Sequence, residues 1–164
     1  PLFKYIIISM KFSGGKELSI AIASDHGGFE LKQAIIKYFD KNEISYTDLG
    51  TYSTESVDYP DIAISCAEAV ARGEYEKGII ICGTGIGVCI AANKVKGIRA
   101  AQCHDTFSAR MSRLHNDANI LTMGGRVIGS GLAIEIVKAW LASDFEGERH
   151  QRRVNKISQY ESNR

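Results

Sequence analysis

The chain has 164 residues, of which 45% are hydrophobic and 24% charged, with a formal net charge of +1. That length builds one domain with a real core, and the balanced charge excludes a general nucleic-acid or membrane-surface binder. Cys66, Cys82, Cys89 and Cys103 contain no C-x-x-C pair, which argues against a disulfide framework or a zinc site and for the reducing cytoplasm.

No apolar run approaches the length of a membrane span. Pro1 opens the chain and Met10 lies inside it. Lys4 and Lys11 bracket too short an apolar stretch for a signal peptide. Residues 1–17 are therefore read as an N-terminal extension of cloning or read-through origin, and residues 18–164 as a single domain.

Leu18 to Ala23 predicts a first buried strand, with Ser24-Asp25-His26-Gly27-Gly28 as the turn after it. Leu31, Ala34, Ile35, Tyr38 and Phe39 recur at helical spacing, with Lys32, Lys37 and Lys41 on the other face. Ile44 to Leu49 reads as a second strand ended by Gly50, and Thr51 to Tyr59 as a polar loop. Pro60 suits the first turn of a helix carrying Ile62, Cys66, Ala69 and Val70, which Gly73 stops. A strand over Gly78 to Cys82 precedes a helix after Gly87. Ile98 to Cys103 is a strand, Thr106 to Leu114 a helix, Asn119 to Met123 a short strand, and Ile128 to Leu141 a long helix. The basic tail, Arg149 to Tyr160, carries only Val154, Ile157 and Tyr160 as widely spaced apolar residues, so it is expected to dock on another surface.

Strands alternating with helices imply a mostly parallel sheet covered on both faces. Ligands bind such sheets at the carboxyl ends of strands. Three polar clusters fall there: Asp25 to Gly28, Cys82 to Gly87, and the residues around His104-Asp105.

The run Ile79-Ile80-Ile81-Cys82-Gly83-Thr84-Gly85-Ile86-Gly87 says most about chemistry. A buried strand ends in a thiol, a hydroxyl and alternating glycines before a helix. Glycines let a ligand approach the backbone, and a helix start offers unpaired amides to an anion. Cys82 thus stands beside an anion cradle, whereas Cys66, Cys89 and Cys103 read as core. The G-x-G-x-G spacing is a poor dinucleotide fingerprint, and no Gly-Lys-Ser/Thr makes a P-loop. His26 and His115, each placed in a polar loop, are acid–base candidates. No H-x-x-x-H or H-x-H pair suggests a metal. Arg149 and Arg153, four residues apart on one helix face with His150 beside them, suit a phosphate monoester, and Arg126 is a further candidate.

These motifs, in order, resemble the type B ribose-5-phosphate isomerases, a family that also holds galactose-6-phosphate isomerase subunits. The resemblance runs from about Leu18 to Tyr160. It is carried by Ser24 to Gly28, Val57-Asp58-Tyr59-Pro60-Asp61, Cys82 to Gly87 with Ala91 to Lys94, Gly97 to Ala101, Ser112 to Asn119, Gly125-Arg126-Val127, and Gly147 to His150 with Arg153-Val154.

The resemblance implies a Rossmann-like three-layer α/β sandwich. It also implies a homodimer or dimer of dimers with shared active sites, no metal and no organic cofactor. It implies aldose–ketose isomerisation of a sugar phosphate through an enediolate. Cys82 takes the place of the proton-transfer base, and the amides of Gly83, Gly85 and Gly87 stabilise the developing charge. Thr84 moves a proton between the two oxygens. His115, with Asn116 beside it, opens the sugar ring. Asp25, His26 and Tyr59 hold hydroxyls or the ring, while Arg126, Arg149, His150 and Arg153 hold the phosphate. Where some members have a glutamate base, this chain has Val88. Where many have glycine, it has Glu148. Isomerisation of ribose 5-phosphate is the leading expectation. A six-carbon sugar phosphate, a non-catalytic sugar-phosphate sensor and, more remotely, a thiol oxidoreductase are its rivals.

Overall fold

The computed structural model describes residues 19–163. The extension at 1–17, and Leu18 at the expected start of the first strand, lie outside the described residues. In chain order the elements are β1 (Ile20–Ser24), α1 (Phe29–Lys41), β2 (Tyr46–Asp48), α2 (Tyr59–Ala71), β3 (Lys77–Cys82) and α3 (Ile86–Ala92). They continue with β4 (Ala100–Gln102), α4 (Thr106–Asn116), β5 (Ile120–Gly124), α5 (Ser130–Leu141) and α6 (Glu148–Ser162).

The five strands form one sheet, ordered β2-β1-β3-β5-β4, and every pairing is parallel. Period-two alternation splits the strand side chains between two cores. Ile20, Ile22, Ile79, Ile81, Leu121 and Met123 face one core, which Leu31, Ile35 and Phe39 of α1, Ala109 of α4 and Ile136 and Trp140 of α5 complete. Ala21, Ala23, Ile80 and Ile120 face the other, closed by Cys66 and Val70 of α2 and Val88 and Ala92 of α3. This is the expected three-layer α/β sandwich. Ile79, Ile80 and Ile81 on the central strand are fully buried, each contributing about 1.5–3 kcal/mol of transfer free energy.

Departures from the expected boundaries have local causes. β2 and β4 are edge strands of three residues each, because only that many find a partner across the single neighbouring ladder. α5 starts at Ser130, since Arg126, Val127 and Ile128 are taken up by a turn in which the Val127 and Ile128 amides both donate to the Gly124 carbonyl. α4 runs on to Asn116 and stops at Asp117, whose φ of 47° is left-handed. His115 and Asn116 therefore sit on a helix, not in a loop. Lys32 is not on a solvated face. It is fully buried, its Nζ donating to Asp48 Oδ1 at 2.6 Å and to the Thr51 carbonyl at 2.7 Å.

β1 sits between β2 and β3, so the chain's winding direction reverses at the β1/β3 pair. A crevice opens outside the carboxyl ends of two strands that lead to opposite sides. β1 ends at Ser24 and β3 at Cys82. Two of the three polar clusters thus meet at the switch point.

Candidate active site

The loops at the switch point touch backbone to backbone. A β-carbon on Gly28 would lie 2.4 Å from the Ile81 carbonyl oxygen, and one on Gly27 3.0 Å from the Gly83 nitrogen. One on Gly85 would meet the Met123 carbonyl carbon at 2.7 Å, one on Gly124 the Thr84 carbonyl at 2.7 Å, and one on Gly125 the Gly27 carbonyl oxygen at 2.8 Å. Gly85 also has a φ of 78°, open to glycine at no steric cost. The Gly125 amide donates to the Cys82 carbonyl at 2.8 Å and the Arg126 amide to that of Gly83 at 3.0 Å. The turns after β1, β3 and β5 are laced into one rigid floor.

Cys82 lies on that floor, 5% exposed, its sulfur accepting the Gly85 N–H at 3.0 Å. Burial pushes the Cys66 thiol up to about 12 and the Cys103 thiol up to about 11, so both are inert core thiols at neutral pH. Thr84 is exposed, and its hydroxyl accepts the Ile86 amide at 3.3 Å. Asp25 is buried and accepts the Gly28 amide at 3.0 Å. His26 Nδ1 accepts the Val57 amide at 3.3 Å, which leaves the ring proton on Nε2 as a donor. The Tyr59 ring covers Gly87, where an added β-carbon would come within 2.7 Å of it. The Arg126 guanidinium stands about 3.5 Å from the β-carbon position of Gly83. The structure thus brings together Asp25, His26, Tyr59, Cys82 to Gly87 and Arg126. Val88 is fully buried in the second core, so no proton acceptor occupies that place.

His115, Asn116, Arg149, His150 and Arg153 form a separate group. His115 follows Arg113, whose guanidinium lies 5.9 Å from the Trp140 ring, and the same ring has Lys77 Nζ at 5.7 Å. Lys77 opens β3 and Cys82 closes it. At about 3.3 Å per residue the two ends of that strand are ~16 Å apart. His115 is therefore near the amino-terminal edge of the sheet, and Cys82 is at the carboxyl edge. Within one chain the two do not share a site.

The His115 and His150 rings stack at 4.2 Å with planes 8° apart. His150 is 4% exposed; its Nε2 lies 3.5 Å from Glu146 Oε2 and accepts Arg149 Nε at 3.3 Å. Burial, His115, Arg149 and Arg153 lower its pKa below the usual 6.5, against an opposing pull from Glu146. Arg149 and Arg153 are exposed, one helical turn apart on α6, and Asn116 is exposed at the end of α4. Of α6 only His150 and Val154 are buried, while Ile157 and Tyr160 are 56% and 69% exposed.

The third polar cluster has a structural use. Asp105 caps α4, accepting the Ser108 amide and hydroxyl at 2.7 Å each, which holds its carboxyl below the ordinary range. Three residues to which the sequence assigned no individual role make contacts around these groups. Gln102 Nε2 donates to the Thr84 carbonyl at 2.7 Å, and His104 Nε2 accepts the Gly124 amide at 3.0 Å. Glu146 lies four residues before His150 and is brought to His115 where its amide donates to the Leu114 carbonyl at 3.0 Å.

The sequence model of the Ribose/Galactose Isomerase family matches residues 20–157. The chain is 50% identical to the ribose-5-phosphate isomerase B of Escherichia coli (strain K12), over 88% of this chain and 97% of that one. It is 48% identical to the D-erythrulose-4-phosphate isomerase of Pectobacterium atrosepticum, over 88% and 95%. A Clostridium thermocellum ribose-5-phosphate isomerase B structure superposes with a TM-score of 0.87 at 53% identity, covering 89% of this chain and 99% of that one.

Proposed function

Because the chain belongs to the ribose/galactose isomerase family, we propose that it interconverts ribose 5-phosphate and ribulose 5-phosphate through an enediolate. The observation that carries the mechanism is the crevice between β1 and β3. There a single thiol shares a rigid glycine floor with hydroxyl, imidazole and guanidinium groups.

In this reading Cys82, as thiolate, removes the C2 proton of the open-chain aldose and returns it to C1. The amides of Gly83 and Gly87 stabilise the negative oxygen, whereas the Gly85 amide, expected to join them, is committed to the Cys82 sulfur and supports its negative charge instead. Thr84 relays a proton between O1 and O2. Asp25, His26 through Nε2–H, and Tyr59 hold the hydroxyls.

Ring opening and phosphate binding call for the second group, which the chain cannot bring to its own Cys82. A homodimer supplies it. α6 buries only His150 and Val154 against its own chain and leaves Ile157 exposed, as a segment that docks on a second copy would. His115 of the partner subunit then takes the anomeric proton and protonates the ring oxygen, with Asn116 beside it. Arg149, His150 and Arg153 of that subunit join Arg126 around the phosphate. A dimer of dimers is compatible with the same pairing. No metal or organic cofactor takes part. Free thiols at all four cysteines suit the cytoplasm.

The test is turnover of purified protein across four-, five- and six-carbon aldose phosphates, with Cys82→Ser alongside. Ribose 5-phosphate should give the highest kcat/KM. The serine variant should lose at least ~10²-fold in kcat, the lower end for a lost acid–base group, with KM little changed. Turnover confined to another chain length would overturn the substrate, and near wild-type kcat in the variant would overturn the thiol base.

A further inference from the structure

His115, Glu146 and His150 stand out beyond this reading. One ligand atom from each lies within 4.8 Å of the other two, the only such grouping of three among the described residues. Two imidazoles and a carboxylate are the donor set of open zinc sites, which bind at about 2.0–2.2 Å. His150 is almost wholly enclosed, and its Nε2 lone pair faces Glu146 and Arg149. Glu146 is tied into the same corner by its amide, which donates to the Leu114 carbonyl at 3.0 Å. Its backbone is therefore fixed next to His115.

We infer that His115, Glu146 and His150 form a regulatory site for a divalent transition-metal ion of the zinc class, and that a bound ion withdraws His115 and His150 from the isomerase reaction. The second half rests on the roles proposed above, and the first half does not.

Occupation requires two rearrangements. Parallel rings do not aim their lone pairs at a common point, so His115, half-buried at the last turn of α4, has to turn out of the stack. The Arg149 Nε contact on His150 has to break as well. Both changes remove groups assigned to the sugar phosphate, so ion and substrate compete. The positive charge of Arg149 and Arg153 weakens the site without abolishing it. The result is reversible inhibition by the free ion and not a permanent structural metal.

The decisive variant is Glu146→Gln. Glu146 is exposed and has no assigned part in isomerisation, so the variant should keep wild-type turnover without metal. Zn2+ titration calorimetry and Co2+ visible absorption are run on Cys82→Ser protein, which removes the catalytic thiol as a rival ligand. One ion per chain should bind. Adding Glu146→Gln should weaken binding at least ~10-fold, a lower bound for losing a ligand when outer-shell losses alone cost that much. In the wild-type enzyme Zn2+ should inhibit, EDTA should restore activity, and Glu146→Gln should shift inhibition to correspondingly higher Zn2+. Absence of binding, or binding that Glu146→Gln leaves unchanged, would overturn the site. Binding that Glu146→Gln weakens, with turnover unaffected, would uphold the site and refute the proposed part of His115 instead.

Discussion

Mixing two impaired variants tests the division of the site between subunits. Take Cys82→Ser, which removes the proposed base at the carboxyl edge of the sheet, and Arg153→Ala, which removes a proposed phosphate ligand from α6. A charge-assisted contact is worth about 1.5–3 kcal/mol, so Arg153→Ala should lose roughly 10- to 150-fold in kcat/KM. It should do so mainly through KM, because the phosphate charge is the same in ground and transition states. Random exchange of equal amounts makes half of all dimers mixed. In a twofold dimer with shared sites, each mixed dimer has one site carrying both defects and one carrying neither. The mixture should therefore reach about a quarter of wild-type activity at low substrate, far above either parent. The starting point is the ~16 Å run of β3 that separates Cys82 from the His115 edge. If each site belonged to one chain, every chain in the mixture would carry a defect, and activity would equal the mean of the parents. That result, with exchange confirmed by native mass spectrometry, would refute the shared site.

Three stability predictions follow from single residues. Glu148 adopts a left-handed φ of 45°, which costs a side-chain-bearing residue about 1–2 kcal/mol, part of which glycine gives back through its looser unfolded chain. Glu148→Gly should gain about 0.5–1 kcal/mol and raise Tm by roughly 2–4 °C in calorimetry; a lower Tm would show that the carboxylate stabilises the start of α6. Asp48→Ala should cost about 3 kcal/mol in urea denaturation, because it strands the fully buried Lys32. Adding Lys32→Met should recover much of that loss, and no recovery would show that Asp48 acts through other contacts. His150 is harder to protonate in the folded protein than in the unfolded chain. Acidification therefore favours the unfolded state, with stability lost as pH falls through 6.5 and below. His150→Gln should shrink the difference in urea midpoint between about pH 7.5 and about pH 5.5; an unchanged difference would assign it to other groups.

Much of the architecture was legible in local pattern. The β-branched run into Cys82, the glycines after it and the helical spacing of Leu31, Ile35 and Phe39 each report a neighbour within a few residues. What escaped depends on partners far along the chain. Lys32 looked solvent-facing because its period matches Lys37 and Lys41, and only Asp48 and Thr51, brought over it by β2, make its burial tolerable. His115 read as a loop residue, since the polar run through Asp117 hides that α4 continues to Asn116. The candidate residues can be named from the sequence, but not their separation into two edges, which follows from the direction of α4 relative to β3. Gln102 has ordinary sequence surroundings and His104 stands out only as part of a polar cluster, and the use of each emerges only where Thr84 and Gly124 pass close by.

The glycine floor also constrains how such a protein can diversify. Five added β-carbons, at Gly27, Gly28, Gly85, Gly124 and Gly125, would each sit 3.0 Å or less from a neighbouring backbone atom. A side chain introduced at these five positions has nowhere to go, so this part of the floor is closed to substitution. The rim is not: Tyr59, Arg126 and the exposed segment from Tyr52 to Ser56 present side chains rather than backbone. On the proposed mechanism, the span from the reacting carbons to the phosphate can thus be retuned at the rim while the floor stays the same. Relatives sharing about half their residues with this chain, named for substrates of four and five carbons, are the pattern that such a split permits.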